Sequence, residues 1–314
     1  MPWSPMDFLA LVDHTGGMRL IAAPGQGSQK PGFLSPWLDM PGAKDTLSRW
    51  SELAEVDLIA HGSVSDQDTI RDTKIAQPLI VAAGLLTGRA LIDKLGGETV
   101  AFAGHSVGEF TASALAGVFT DDDAMRLVGV RGRAMAEAAQ KEPTGMAAVL
   151  GAEYDTLAPI LESMGLVPAN VNGGGQIVAA GAKQALTTLQ EAPPEGCRVI
   201  PLDVAGAFHT HYMSSAVEAL EQATSTIEVS DPGAPLYTNR DGSRVTSGQE
   251  MVRLLVGQVA SPVRWDLCME SFGRDGVTEI IELAPAGALV GLAKRALKDV
   301  ATTKLDLPDQ LDSF

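Results

Sequence analysis

The sequence predicts an α/β protein with a mainly parallel sheet, interrupted by a small α+β insert. Three observations carry that expectation. Short apolar runs ending in glycine or turn residues alternate with longer stretches of helical periodicity, as strand–helix crossovers require. After a break at KEPTG, 141–145, the alternation tightens to strand, helix, strand, helix, strand. Apolar residues make up 45% of the 314 positions and charged residues 20%, enough for a substantial core. The expected division is a peripheral extension over 1–17, a larger unit built from 18–140 and 205–314, and an insert over 141–204.

Each element has a local reason. MRLIAAP, 18–24, reads as a buried strand that runs into the glycine-rich loop GQGSQKPG. Helical stretches follow around 44–60 and 76–95. TVAFAG, 99–104, is a short apolar run ending in glycine and suits a central strand. GEFTASALAG continues as a helix closed near Gly117. Thr120 and three following aspartates form an N-cap and an acidic first turn for a helix over 121–140. In the insert, GMAAVLG, QIVAAG and CRVIPLD are strand-like, with helices near 153–164 and 182–190. Beyond it, HYMSSAVEALEQAT is helical, APLYTN is a strand, 247–258 is helical, VTEIIEL is a buried strand, and PAGALVGLAKRAL is a loop with a final helix.

Composition removes several function classes. A formal net charge of −16 argues against nucleic acid and anionic membrane surfaces. Two cysteines, Cys197 and Cys268, with no C-x-x-C pair, indicate neither a disulfide framework nor a cysteine zinc site. The N-terminus has no basic region followed by a long apolar run, so no signal peptide is expected. Apolar stretches such as PLIVAAGLL, 78–86, are shorter than the roughly 20 residues that span a bilayer. A reducing, cytoplasmic setting fits.

The chemistry-bearing motif is AFAGHSVGEFTASALAG, 101–117, which places Gly104 and Gly108 on either side of Ser106. A serine on a sharp strand-to-helix turn leaves its hydroxyl exposed, and the helix N-terminus favours developing negative charge there. The pattern alone fits a nucleophile or a structural turn. If Ser106 is the nucleophile, the N–H of Val107 is the natural first oxyanion donor. Gln26, in the loop after the first strand, is the candidate for a second. That loop lacks the lysine of a phosphate-binding loop and does not complete G-x-G-x-x-G.

A serine hydroxyl needs a base. Of the five histidines, His14 lies in the extension, His61 follows a helical stretch, and His105 is turned away by the elbow. That leaves GAFHTHYM, where His209 follows a strand-like run, the place where catalytic groups of α/β folds collect. His209 and His211 are two residues apart, but no further metal-ligand pattern accompanies them, and no metal is expected. In the helix over 121–140, Arg131 falls on the apolar stripe of Leu127, Val128, Ala134 and Met135. A buried arginine needs a partner, either a protein carboxylate or the carboxylate of a substrate held through two parallel hydrogen bonds.

PGQGSQ (24–29), IAQP (75–78), GHSVGEFTA (104–112), VRGRAM (130–135), MAAVLG (146–151), NVNGGGQIVAAG (170–181), GAFHTHYM (206–213) and QVASPVRW (258–265) together resemble the malonyl-CoA:acyl-carrier-protein transacylases and the related acyltransferase domains of polyketide synthases. The resemblance spans about residues 18–295, with the motifs in family order. It implies an α/β-hydrolase-like larger domain with a ferredoxin-like insert. It implies Ser106 as the acylated nucleophile, His209 as its base, Gln26 and Val107 as oxyanion donors, and Arg131 as the grip on the malonyl carboxylate. Gln258 matches the glutamine at the place where the family orients its histidine by a backbone carbonyl, which suggests a Ser–His dyad. No third acid is evident in the sequence, in agreement. Asn170 and Asn172 match polar residues lining the cleft, and Phe208 resembles the aromatic residue of malonyl-selective members.

The activity implied is [acyl-carrier-protein] S-malonyltransferase, a ping-pong transfer from malonyl-CoA to the phosphopantetheine thiol of acyl carrier protein for fatty acid synthesis. No tightly bound cofactor, nucleic acid or membrane partner is implied, and the family suggests a monomer. The alternatives are a transacylase of a polyketide pathway or another extender unit, or a serine thioesterase or esterase. His211 stands where family members often carry a smaller residue or proline. Arg264, Lys294, Arg295 and Lys298 are candidates for a basic surface facing an acidic carrier.

Overall fold

Residues 17–314 are described by the computed structural model; of the extension expected over 1–17, residues 1–16, with His14, lie outside them. The first strand, β1 (Met18–Ala23), opens a loop that leads to α1 (Ala43–Ala54), α2 (Leu58–Ser63), α3 (Gln67–Arg71) and α4 (Thr73–Leu95). The helix expected over 44–60 is therefore two helices. Glu55 takes a left-handed φ of 59° and turns the chain between them. The helix expected from 76 starts three residues earlier, where the Asp72 side chain accepts from the Lys74 N–H, and it carries Pro78 inside. α4 is long and apolar enough to cross a membrane, yet most of it is buried inside the protein.

The chain continues through β2 (Val100–Gly104), α5 (Gly108–Leu115) and α6 (Asp121–Ala139). α6 begins where the Thr120 hydroxyl caps the Asp123 N–H at 3.1 Å, with Asp121, Asp122 and Asp123 in the first turn. Next come β3 (Thr144–Leu150), α7 (Tyr154–Ser163), β4 (Val167–Gly173), β5 (Gln176–Ala182), α8 (Lys183–Glu191) and β6 (Arg198–Leu202). The last third contains α9 (Ser214–Thr224), β7 (Leu236–Tyr237), β8 (Arg244–Val245), α10 (Gly248–Gln258), β9 (Val263–Arg264), α11 (Trp265–Arg274), β10 (Val277–Leu283), α12 (Ala288–Ala296) and β11 (Ala301–Leu305).

Two sheets result. The larger has the order β11-β10-β1-β2-β7-β8, parallel except for the β7–β8 hairpin. Side chains alternate across it. Leu20, Ala22, Ala101 and Ile280 pack toward Trp265, Phe272 and Leu289. Ile21, Phe102 and Ile281 pack toward the core that includes Leu79, Val81 and Phe110. The smaller sheet has the order β6-β3-β5-β4-β9. Its first four strands and α7 and α8 form a ferredoxin-like β-α-β-β-α-β unit, antiparallel throughout. Val149, Val171, Ile177 and Ala179 meet Leu157, Leu161 and Leu189 in a separate small core. The other face looks toward the larger layer.

The sequence reading missed two features here. β4 starts beside Pro168 and holds two asparagines, a poor strand by propensity that is secured by pairing with β5 and β9. β9 comes from beyond residue 204 and joins the small sheet parallel to β4, so that sheet is not made from the 141–204 stretch alone.

Candidate functional site

The carboxyl edge of the parallel sheet brings the site together. β1 and β2 run in register to the pair Ala23–Gly104, and the chain then turns through His105 and Ser106 into α5. The turn is tight. A Cβ on Gly104 would sit 2.0 Å from the Gly108 carbonyl carbon, and one on Gly108 would sit 2.2 Å from the Ala23 carbonyl oxygen. Only glycine fits at either place. Ser106 itself adopts φ 52°, a left-handed conformation that costs about 1–3 kcal/mol and is held by its surroundings. Its N–H donates to Asn239 Oδ1 at 2.7 Å, and its carbonyl accepts from Gln258 Nε2 at 3.0 Å.

Ser106 Oγ lies 2.7 Å from His209 Nε2. His209 Nδ1 lies 2.8 Å from the backbone carbonyl of Gln258. A carbonyl only accepts, so Nδ1 carries the proton and the neutral ring presents Nε2 as acceptor to the serine hydroxyl. Burial, followed by the nearby Arg131 charge, pushes the His209 pKa down to about 3, which keeps the ring neutral at pH 7. His209 also has a left-handed φ of 61°. Two residues later, His211 is exposed and stacks on Tyr212 with ring centroids 4.2 Å apart.

A cavity of about 430 Å³ opens beside this pair, between the two sheets. One wall carries Gly25, Gln26, Gly27, Gln77 and Met135, and the other Met146, Asn170, Asn172 and Val178. Phe208 and the start of α12 complete it. Gln26 Nε2 donates to Thr73 Oγ1 at 3.3 Å, tying the glycine-rich loop to the start of α4. Val107 is the N-cap residue of α5 and is buried beneath Ser106. His105, set aside by the sequence reading, lines the same cavity and bonds through Nε2 to Asn172 Oδ1 at 2.8 Å.

Arg131 is 1% exposed. Its Nη1 donates to Gln77 Oε1 at 2.6 Å and its Nη2 to Gln258 Oε1 at 2.8 Å, while its Nε has no partner. Both partners are neutral amides, so the protein carboxylate considered from the sequence is not its hydrogen-bond partner. Burial lowers its pKa to about 10, and it remains charged at neutral pH. A buried carboxylic acid is nevertheless close. Glu109 in α5 accepts from the Asn239 N–H at 2.6 Å and from Gln258 Nε2. The sequence reading missed Glu109 and Asn239; an acid one residue after Gly108, inside an otherwise apolar helix, was the available signal. Of the candidate basic residues, Arg264 is committed to Asp266 and to the Tyr154 ring, whereas Arg295 borders the cavity. No cluster of metal-ligating side chains occurs among the described residues.

Comparison with known proteins places the chain in a family. Residues 22–308 match the acyl transferase domain. The malonyl CoA-acyl carrier protein transacylase of Mycobacterium tuberculosis is 48% identical over 299 residues, 95% of this chain and 99% of that one. The crystal structure of MCAT from Mycobacterium tuberculosis superimposes with a TM-score of 0.92 at 48% identity, covering 94% of this chain and 99% of that one. A malonyl-transacylase solved in complex with its type II PKS acyl-carrier protein gives a TM-score of 0.88 at 29% identity, covering 94% and 98%. The fold, a larger α/β layer with a smaller β-rich insert, is shared with these structures. The chain belongs to the acyl transferase domain family and, within it, to the malonyl-CoA:acyl-carrier-protein transacylases.

Proposed function

We infer that the protein moves the malonyl group from malonyl-CoA to the phosphopantetheine thiol of acyl carrier protein, through a malonyl ester on Ser106. The observation that carries this reading is the line from Ser106 Oγ through His209 to the Gln258 carbonyl, with buried Arg131 attached to the same Gln258. His209 takes the hydroxyl proton as Oγ attacks the thioester. The N–H groups of Val107 and Gln26 are the candidates to hold the oxyanion. The imidazolium then protonates the departing CoA thiolate. In the second half-reaction the carrier thiol gives its proton to His209 and attacks the ester, and the imidazolium returns that proton to Ser106 Oγ as it leaves. The Gln258 carbonyl at Nδ1 fixes the tautomer as a carboxylate would, without adding a negative charge.

Arg131 selects the acyl group. A malonyl carboxylate competes with the Gln77 amide for the guanidinium and supplies a charged partner in its place. Phe208, buried in the wall beside His209, limits room at the α-carbon. Phe208→Ser should therefore narrow the kcat/KM ratio of malonyl-CoA over methylmalonyl-CoA; an unchanged ratio removes Phe208 from selectivity. Asn170 and Asn172 offer polar groups to the thioester arm from the insert side. The proposed setting is a cytoplasmic monomer that supplies fatty acid synthesis, and Arg295 at the cavity rim suits an acidic carrier.

Intact-protein mass spectrometry after brief exposure to malonyl-CoA, with peptide mapping, tests the reading. A malonyl adduct on Ser106 that disappears when the carrier is added is the expected result. An adduct elsewhere, or one that discharges only to water, overturns it in favour of another site or a hydrolase.

A further inference from the structure

Glu109 is the most constrained group that this chemistry leaves unused. It is 1% exposed in the first turn of α5, three residues past Ser106. Its partner Gln258 meets four groups of the site. The Gln258 side-chain nitrogen faces Glu109 and the Ser106 carbonyl, its side-chain oxygen accepts from Arg131, and its main-chain carbonyl accepts from His209. A primary amide has a sense: its nitrogen must face acceptors and its oxygen donors. Glu109 on one side and Arg131 on the other fix that sense. The two are opposite buried charges separated by one amide.

We propose that Glu109 is a positioning residue and the exchangeable counter-charge of Arg131: it balances the guanidinium through Gln258 before acylation, and takes up a proton from solvent when the malonyl carboxylate pairs with Arg131. The proposal rests on the reading that Arg131 holds that carboxylate. Two carboxylates around one buried guanidinium leave an uncompensated negative charge, which a protein interior relieves by protonation. Burial already raises the Glu109 pKa to about 7. The other titratable or charged groups on the surrounding elements are few. Arg131 comes from α6 and His209 from the segment before α9. Cys268 comes from α11, its thiol pushed up by burial and then by Glu109. α4 supplies Arg89, at the far end of α5 and paired with Asp121. The α10 and β7 sides supply only the neutral Gln258, Thr238 and Asn239.

The test counts protons. Wild-type enzyme in weak buffer at pH 7.5 is mixed with malonyl-CoA or with its neutral terminal-amide analogue, and an indicator dye reports proton uptake; CoA thiol release is common to both. Malonyl-CoA should take up a large fraction of one proton per site more than the amide. Glu109→Gln, which mimics the protonated acid, should abolish the difference. In the wild type, kcat/KM for malonyl-CoA relative to the amide should fall above pH 7 by up to about tenfold per pH unit, the limit for one linked proton. In Glu109→Gln the ratio should be flat, and at pH 8.5 higher than in the wild type. A purely structural glutamate would instead lower both substrates together. Equal proton counts for the two ligands in the wild type overturn the proposal, even if the variant does not fold. Absence of any malonyl-serine ester would sink the parent reading as well; an ester with equal proton counts sinks only this one.

Discussion

Two strand-to-helix crossings at the carboxyl edge of the parallel sheet each hold a buried glutamate. β2 turns through Ser106 into α5, with Glu109 in the first helical turn. β10 turns into α12, with Glu282 at the end of the strand. Glu282 accepts from the backbone N–H groups of Gly287, Leu289 and Val290 at 2.8–2.9 Å, so it is held by donors that cannot rotate away and that carry the positive end of a helix. Glu109 has one backbone donor and otherwise depends on the side chain of Gln258. Burial raises both pKa values, with the three backbone donors opposing it at Glu282. The contrast separates two uses of one residue type. A carboxylate bound by fixed dipoles caps a helix, and one bound by a side chain shared with the site stays responsive to charge.

The largest effects should fall at the first crossing. Ser106→Ala should eliminate the acyl-enzyme. His209→Ala should slow its formation by ~10²–10⁴-fold, the usual worth of a general base, whereas His211→Ala should change it much less. Rapid single-turnover assays decide; similar losses for the two histidines would contradict the assignment. Arg131→Ala should lower malonyl transfer at least about tenfold and acetyl transfer less, since a charge-assisted bond is worth about 1.5–3 kcal/mol. A preserved malonyl-to-acetyl ratio in kcat/KM would leave the arginine only a structural part.

The next effects are on stability. Glu282→Gln should cost about 1.5–3 kcal/mol in denaturant unfolding by weakening charge-assisted bonds at the α12 end, with little change in the acylation rate per folded molecule. Glu109→Gln should act through pH. The folded pKa of Glu109, about 7, lies above its ordinary value of 4.5. Its contribution is therefore complete below about pH 4.5 and is lost as pH rises through about 7, by at most about 1.4 kcal/mol per unit. Relative to the wild type, the variant should gain stability between pH 5 and about 7 in urea midpoints; a parallel pair of pH profiles would show that Glu109 does not titrate in that window. The depressed pKa of His209 tilts both proteins the opposite way and largely cancels in the difference.

The smallest effect belongs to the second crossing. A Cβ on Gly291 meets nothing within 4 Å, so Gly291→Ala should stabilise α12 by about 0.5–1 kcal/mol. Gly104→Ala at the first crossing should destabilise by about 3 kcal/mol or more, since the methyl would meet backbone. Thermal melts of the pair report both, and equal shifts would mean that the first turn is less tightly packed than its geometry requires.

Residue order alone determined what depends on neighbours along the chain. Gly104-His105-Ser106-Val107-Gly108 marks a tight turn by residue order, because Gly104 lies against Gly108 four residues on, where only glycine fits; the close approach of Gly108 to Ala23 in β1 is set by the fold. The Thr120 cap and its aspartates start α6 by local hydrogen bonding and charge. The apolar stripe of α6 made Arg131 stand out, because helical periodicity is itself a local property. Elimination among the five histidines and the strand-like run before it pointed to His209, and the family motifs supplied Gln258. Contacts between distant segments decided the rest. β4 is a strand because β5 and β9 pair with it, despite Pro168 and two asparagines. Arg131 meets amides from α4 and α10, 54 and 127 residues away, and no local pattern distinguishes those partners from a carboxylate. Glu109 went unread in the sequence, because an acid in a first helical turn is favoured at any helix N-terminus. Only the packing of α10 and the segment after β7 against α5 buries it and joins it to Gln258, because burial and charge pairing belong to the folded chain rather than to any stretch of it.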